Sequence, residues 1–272
     1  MKRFLRFTAL VCAVVLMSLP LFALEETKPE DLPVDADEAT VTAGAEPEMP
    51  NIKAHPEYSG LVDIKVDFTS VSMSGINSML GGLSSLAVFP TVSTDKVTMG
   101  YSVAMDLGFK FFTGIDLTFG PRLELIGCNA GSFSGNDGAA ASLVYTLNTM
   151  AFPFMAGGTY TINFPEAPFE ASVGIYGGGL YVRAPVSWLE TSPDYNLNST
   201  GDGFGFAAEA TVSFKYQISE SISAGINGGY RAAYAGSVPV PVAVNADGTL
   251  KNSNTAFDLG GFLAGINFNM KY

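Results

Sequence analysis

The side chains best equipped for chemistry in this 272-residue sequence are charged, and they recur at even spacings. Asp63, Lys65 and Asp67 alternate with apolar residues in "LVDIKVDFTS", Asp106 and Lys110 do so in "MGYSVAMDLGFKF", and Arg122 and Glu124 in "PRLEL". Asp116, Glu170, Glu209, Lys215, Arg231 and Lys271 continue the pattern further along. A period of two puts such groups on one face of a strand, where opposite charges on neighbouring strands neutralise one another. Acid–base or nucleophilic catalysis asks for more, usually a histidine beside a nucleophile or carboxylate. The one histidine, His55, sits in a Pro-rich acidic stretch remote from these segments. Cys12 and Cys128 cannot supply a metal cluster with it. The Gly-rich "GDGFGF" leads into a strand pattern and not a helix, so it is no phosphate loop. No catalytic, cofactor-binding or metal-binding residue is expected, and the chain is read as a non-enzyme.

The elements that must position the charges are strands. Alternation begins at Ser59 and predicts eight of them, at 60–70, 98–111, 115–127, 151–164, 168–183, 203–216, 221–232 and 257–272. In "MGYSVAMDLGFKF", Met99, Tyr101, Val103, Met105, Leu107, Phe109 and Phe111 take one face while Gly100, Ser102, Ala104, Asp106, Gly108 and Lys110 take the other. Every charged residue named above falls on the parity opposite the large apolar side chains. With Gly at 30, Phe at 20 and Tyr at 11, the composition agrees with an all-β chain.

The ends of the chain place it outside the cytoplasm. Residues 1–23 carry Lys2, Arg3 and Arg6, then the apolar run "FTALVCAVVLM", then "SLPLFA", the order of a secretory signal peptide. Residues 24–58 hold ten acids, frequent Pro and no apolar period, and are read as a disordered periplasmic arm. Residues 59–272 form the β domain. The net charge of −12 argues against nucleic acid as a partner.

The expected connections alternate in length, short at 112–114, 165–167 and 217–220 and long at 71–97, 128–150, 184–202 and 233–256. Short turns at one end and long loops at the other mark an up-and-down antiparallel transmembrane β-barrel. Hydrocarbon tolerates no open sheet edge, so the last strand must pair with the first. The signal, the alternating strands and the terminal "FLAGINFNMKY" resemble the small outer-membrane β-barrels of diderm bacteria, the OmpA-, OmpX- and OmpW-type proteins. That resemblance implies an outer-membrane location, outer-membrane lipid as surroundings and the barrel-assembly machinery as a partner. It also implies that the last strand, with Phe262, Ile266, Phe268, Met270 and Tyr272 outward, carries the assembly signal, here ending in Tyr where Phe is commoner.

Eight strands enclose a bore that side chains just fill. The inward charges are therefore expected to form a buried ionic network that blocks bulk conduction. Pro121 and Pro153 are read as strand-end or bulge markers. In the first long loop, Ile76, Met79, Leu80, Leu83 and Leu86 recur at helical spacing, for a helix capping the mouth or lying on the membrane. The stretch 139–149 either extends a strand or adds a hairpin that makes ten strands. The loop 184–202, with the sole Trp, is the first candidate for contact with an extracellular ligand or surface partner. The leading expectation is envelope structure or surface interaction through the loops. An OmpW-like passage of small hydrophobic solutes is the alternative, and a soluble ligand-binding barrel is a third reading.

Overall fold

In the computed structural model of the protein, residues 59–85, 91–112, 115–136, 142–164, 167–191, 194–244 and 250–272 are described. The expected signal at 1–23 and arm at 24–58, with Cys12 and His55, lie outside the described residues. In chain order the first elements are β1 (Gly60–Ser70), α1 (Ser74–Ser85), β2 (Thr91–Asp95), β3 (Met99–Lys110), β4 (Leu117–Cys128), β5 (Gly131–Asn136) and β6 (Ser142–Leu147). They are followed by β7 (Met150–Asn163), β8 (Phe169–Thr191), β9 (Asp194–Gln217), β10 (Ile222–Val244), β11 (Leu250–Asp258) and β12 (Gly261–Lys271).

Eight of these strands close a ring. β1 pairs with β3, and antiparallel ladders continue through β4, β7, β8, β9, β10 and β12. β12 returns to β1, with Leu61 opposite Lys271 and Thr69 opposite Leu263. Closure satisfies the backbone groups that an open edge would leave bare in hydrocarbon. The final residue takes part, since Tyr272 O accepts from Ser59 N at 2.7 Å and from Gly60 N at 3.0 Å.

The two faces of the wall differ as the alternation requires. Phe204 and Phe262 are 80% and 73% exposed on the outside, whereas Arg122 and Arg231 are 0% exposed within. Val66, Phe68, Phe109, Phe119, Phe154, Tyr160, Ile175, Val212, Phe214 and Ile226 continue the outer belt. Aromatic pairs reinforce it: Phe169 stacks on Phe214 with centroids 5.3 Å apart, and Tyr230 meets Phe262 edge to face at 5.3 Å.

Beyond the ring, at the end opposite the chain terminus, the strands keep going. β8 exchanges partners, pairing with β7 as far as Arg183 and with β6 from Val186 onward. β6 pairs with β5, and β5 with β2. β10 likewise leaves β12 at Arg231 and takes up β11 from Tyr234. The stretch 139–149 thus contributes β6 to a hairpin outside the ring, and the ring stays at eight.

Three expectations are corrected. The segments 184–202 and 233–256 are extended hairpins and not loops, because the ladder β8–β9 runs unbroken to Thr191 opposite Asp194. Membrane thickness sets the strand length expected from sequence, and nothing in pairing chemistry stops a strand there. Pro121 and Pro153 lie inside strands, opposite Ala156 and Leu180. The β3–β4 ladder lapses between Asp106 and Phe109, facing Gly120 and Pro121, so the missing donor costs only a local interruption. The register shifts occur instead in the β10–β11 ladder, between Ala235 and Val238 and between Pro241 and Ala243. Finally, the interior is not charged throughout, because its half toward the hairpins is filled by a hydrophobic cluster.

Candidate functional site

The lumen has two tiers. The tier toward the short turns is ionic. Asp63 and Asp106 face each other across β1 and β3, an unfavourable pair by itself. Lys65 resolves it, with Nζ 2.9 Å from Asp106 and 3.9 Å from Asp63. Lys215 reaches Asp63 at 3.3 Å.

Above them, Arg122, Glu209, Arg231 and Glu124 form a closed cycle of alternating sign. Arg122 lies 2.6 Å from Glu209, Glu209 lies 3.2 Å from Arg231, Arg231 contacts Glu124, and Glu124 is 4.0 Å from Arg122. Arg122 also stands 3.4 Å from Asp106. Several Arg122 contacts are close without hydrogen-bond alignment, so proximity of charge and not donor direction holds that residue. Neutral groups complete the tier. Ser102 accepts from Arg231 at 3.2 Å, and Asn267 donates to Asp63 at 3.4 Å. The Tyr176 ring lies under Arg122 at 4.9 Å and Lys65 at 5.5 Å, while its hydroxyl pairs with Thr159 at 2.6 Å.

At the short-turn rim the pairs become partly wet. Lys110 meets Asp116 at 3.0 Å with their side chains 14% and 31% exposed. Lys271 meets Glu170 at 2.6 Å, and Ser223 donates to the same carboxylate at 2.6 Å. The structure therefore brings the inward charges together from β1, β3, β4, β8, β9, β10 and β12, with Asp116 just before β4. Of the terminal-strand residues, Phe262, Ile266, Phe268 and Tyr272 are exposed outward and Met270 is half-buried.

The tier toward the hairpins is apolar. Met73, Ile76 and Leu80 of the α1 region, with Val97 just before β3 and Leu147, Val182, Ala184, Val238, Val240 and Phe257 of the wall, are each 0% exposed. They belong to one contiguous hydrophobic cluster. α1 thus fills the mouth, and the helix expected at 76–86 is present to Ser85, Leu86 lying outside the described residues. Its seat is specific. Gly75 comes so near β11 that a Cβ there would meet Ala256 O at 2.5 Å. The Asn77 amide accepts from Val97 N and donates to Val97 O, both at 2.9 Å. Just ahead of the helix, Met73 takes a left-handed φ of 42° while its N–H donates to Asp258 O at 3.0 Å.

Trp188, the first contact candidate, is half-buried in β8 and packs edge to face on Tyr145 at 5.8 Å. Tyr145 donates to Pro241 O at 3.1 Å, and burial pushes its hydroxyl's pKa up. The Trp is thus a strut between hairpins as well as a surface group. Sequence reasoning missed the neutral lumen residues Tyr176 and Asn227, although each stands on the inward parity, and gave Asn267 and Asn269 no part in the network. Among the described residues no group of three or more His, Cys, Asp or Glu is placed to hold a metal ion.

No family model matches the chain, and no curated protein matches it. Solved structures do. Neisserial surface protein A is similar at 13% identity and a TM-score of 0.37 over 78% of this chain and 97% of that one. A major outer membrane protein from Thermus thermophilus is similar at 10% identity and a TM-score of 0.38, over 78% and 99%. The outer membrane protease OmpT from Escherichia coli is similar at 8% identity and a TM-score of 0.37, over 79% and 95%. The fold itself rests on the pairing already described: a closed ring of eight antiparallel strands, ionic within and apolar without, is the architecture of a transmembrane β-barrel.

Proposed function

We propose that the chain is an outer-membrane barrel with a sealed lumen, which acts in envelope structure or surface interaction through the projecting β5–β6, β8–β9 and β10–β11 hairpins. The observation that carries this reading is the double seal. An ionic lattice spans the bore at one level, and a helix-filled apolar plug occupies the next. A solute crossing the barrel must break charge pairs of near-zero exposure and then displace α1. Binding on such a scaffold is left to the projecting hairpins.

In this reading the paired inward charges hold the barrel together. Six cations and six acids neutralise one another in pairs across the bore. Assembly of the ring from β12 and β1 fits recognition of the outward residues Phe262, Ile266, Phe268, Met270 and Tyr272 by the barrel-assembly machinery. Purified protein in planar bilayers should give a flat current trace. Reproducible conductance steps would remove the sealed-lumen reading.

A second reading is favoured by the apolar tier: binding of a small hydrophobic solute between α1 and the wall. It predicts that a solvatochromic hydrophobic probe saturates at one site per barrel and that Leu80→Trp abolishes the binding.

A further inference from the structure

Asp67 stands apart from every other carboxylate in the lumen. Each of the six inward cations can be assigned its own acid: Lys65 with Asp106, Lys110 with Asp116, Arg122 with Glu209, Lys215 with Asp63, Arg231 with Glu124 and Lys271 with Glu170. The seventh acid is Asp67, and it joins none of the ion pairs among the described residues. It is 0% exposed. Its side chain is held by one neutral group, the Asn227 amide, whose Nδ2 donates to Asp67 Oδ1 at 2.5 Å. A buried charge without a counter-charge is among the costliest features a protein can carry.

The surroundings are rich in oxygen acceptors that no protein group satisfies. Asp67 Oδ2 and Asn227 Oδ1 are both buried without a protein partner, as is Oδ1 of Asn267, one inward step further along β12. The residues carrying them are at most 6% exposed. Register explains how they gather. Gly265 of β12 lies opposite Asp67 on one side and Asn227 on the other. A Cβ at position 265 would collide with Asp67 Oδ1, so glycine is what lets the two side chains meet over the intervening strand. Asn267 follows on the same inward parity of β12, opposite Lys65.

We propose that the Asp67–Asn227 pair, seated over Gly265 with Asn267 beside it, is a binding site for one hard monovalent cation of the sodium class. Hard cations take oxygen ligands from carboxylates and amide carbonyls, the donor set found here. One unit of positive charge completes the balance of the lumen, whereas a divalent ion would leave a surplus. A proton on Asp67 is the rival occupant. It would supply the same unit of charge but leave the site indifferent to sodium. The site is independent of whether the hairpins bind a partner.

The test uses the full chain refolded into detergent micelles in alkali-free buffer, with its heat-modifiability midpoint read in sodium chloride and in choline chloride at equal ionic strength. Sodium at a hundredfold excess over the dissociation constant should raise the wild-type midpoint by about 5 to 10 °C. The increment should vanish in Asp67→Asn and persist in Lys110→Gln. Equal midpoints in the two salts would overturn the proposal. So would an infrared carbonyl band of a carboxylic acid that disappears in Asp67→Asn, which would assign the site to a proton. Should Asp67→Asn fail to fold, sodium-23 line broadening decides: broadening by the wild type that Asn227→Ala relieves supports the site, and no broadening, or broadening that Asn227→Ala leaves unchanged, rejects it.

Discussion

The ionic and apolar tiers occupy one barrel and are equally dry, yet they are built in opposite ways. In the ionic tier only wall residues fill the bore, and partners come from distant parts of the chain: Arg231 meets Glu124 across 107 residues, and Lys215 meets Asp63 across 152. In the apolar tier the wall recruits β2, β5, β6 and β11, and a separate element, α1, supplies the filling. Where the ring has only eight strands, inward side chains suffice. Where further strands join the wall, a helix is needed. A charge network fixes a set of exact partners, while an apolar plug tolerates any well-packed surface of the right volume. The two tiers should therefore fail differently when single residues are removed.

The largest effect is expected from Arg231→Met. It leaves Glu124 and Glu209 with Arg122 as the one cation between them, and breaking a buried pair from one side costs about 3 to 5 kcal/mol. Refolding yield of the heat-modifiable form should collapse, and the fully apolar double replacement Arg122→Leu with Glu209→Leu should recover less than an intact barrel because Asp106 and Arg231 lose neighbours too. If Arg231→Met refolds with an unchanged midpoint, the ionic tier does not hold the ring.

Leu80→Ala tests the other tier. Deleting a fully buried leucine costs about 2 to 5 kcal/mol. That loss should fall on the docking of α1 and not on ring closure, because the β1–β12 and β1–β3 ladders do not depend on the helix. Limited proteolysis within 74–97 should accelerate strongly while the heat-modifiability midpoint moves little. A midpoint that drops as far as that of Arg231→Met would show the two tiers to be one cooperative unit.

Much of this contrast is legible in the sequence, for a physical reason. Period-two alternation is enforced by lipid, which penalises a charge on the outer face, so Asp106 and Lys110 can be placed inward from "MGYSVAMDLGFKF" alone. Past the membrane that penalty is gone. Pro185, Ser187 and Trp188 continue β8 with no apolar parity to declare it, and the extension reads as a loop. The α1 stretch announces itself by spacing, but its insertion among Val97, Phe257 and Val238 depends on which strands meet at the mouth. The meeting of Asp67 with Asn227 depends on register across Gly265, which no local pattern encodes.

Asn77→Ala sharpens the comparison within the apolar tier. It removes the polar staple between the helix and the segment before β3, leaving the Val97 N–H and C=O without that partner. The cost of such unsatisfied groups is about 1 to 3 kcal/mol. Protease susceptibility in 74–97 should rise as in Leu80→Ala but by less, and Asn77→Gln should not restore it, since the longer side chain cannot keep both 2.9 Å bonds in one plane.

The smallest effect is expected where the ionic tier reaches water. Lys110 and Asp116 are joined as closely as Lys65 and Asp106, at 3.0 Å against 2.9 Å, but they sit at the short-turn rim with the Asp116 side chain 31% exposed. Solvent then competes for both charges, and an exposed or half-exposed pair contributes only about 0.2 to 1 kcal/mol. Lys110→Gln should shift the midpoint by no more than a degree or two, with the residual difference from wild type shrinking as salt is raised through the range where screening shortens to a few ångströms. Lys65→Gln, with its Nζ between Asp63 and Asp106 and almost no exposure, should instead resemble Arg231→Met and be insensitive to salt. Depth in the bore, and not the N–O distance, would then set what a lumen ion pair is worth. Equal and salt-dependent losses in both variants would instead mean that water reaches the whole ionic tier.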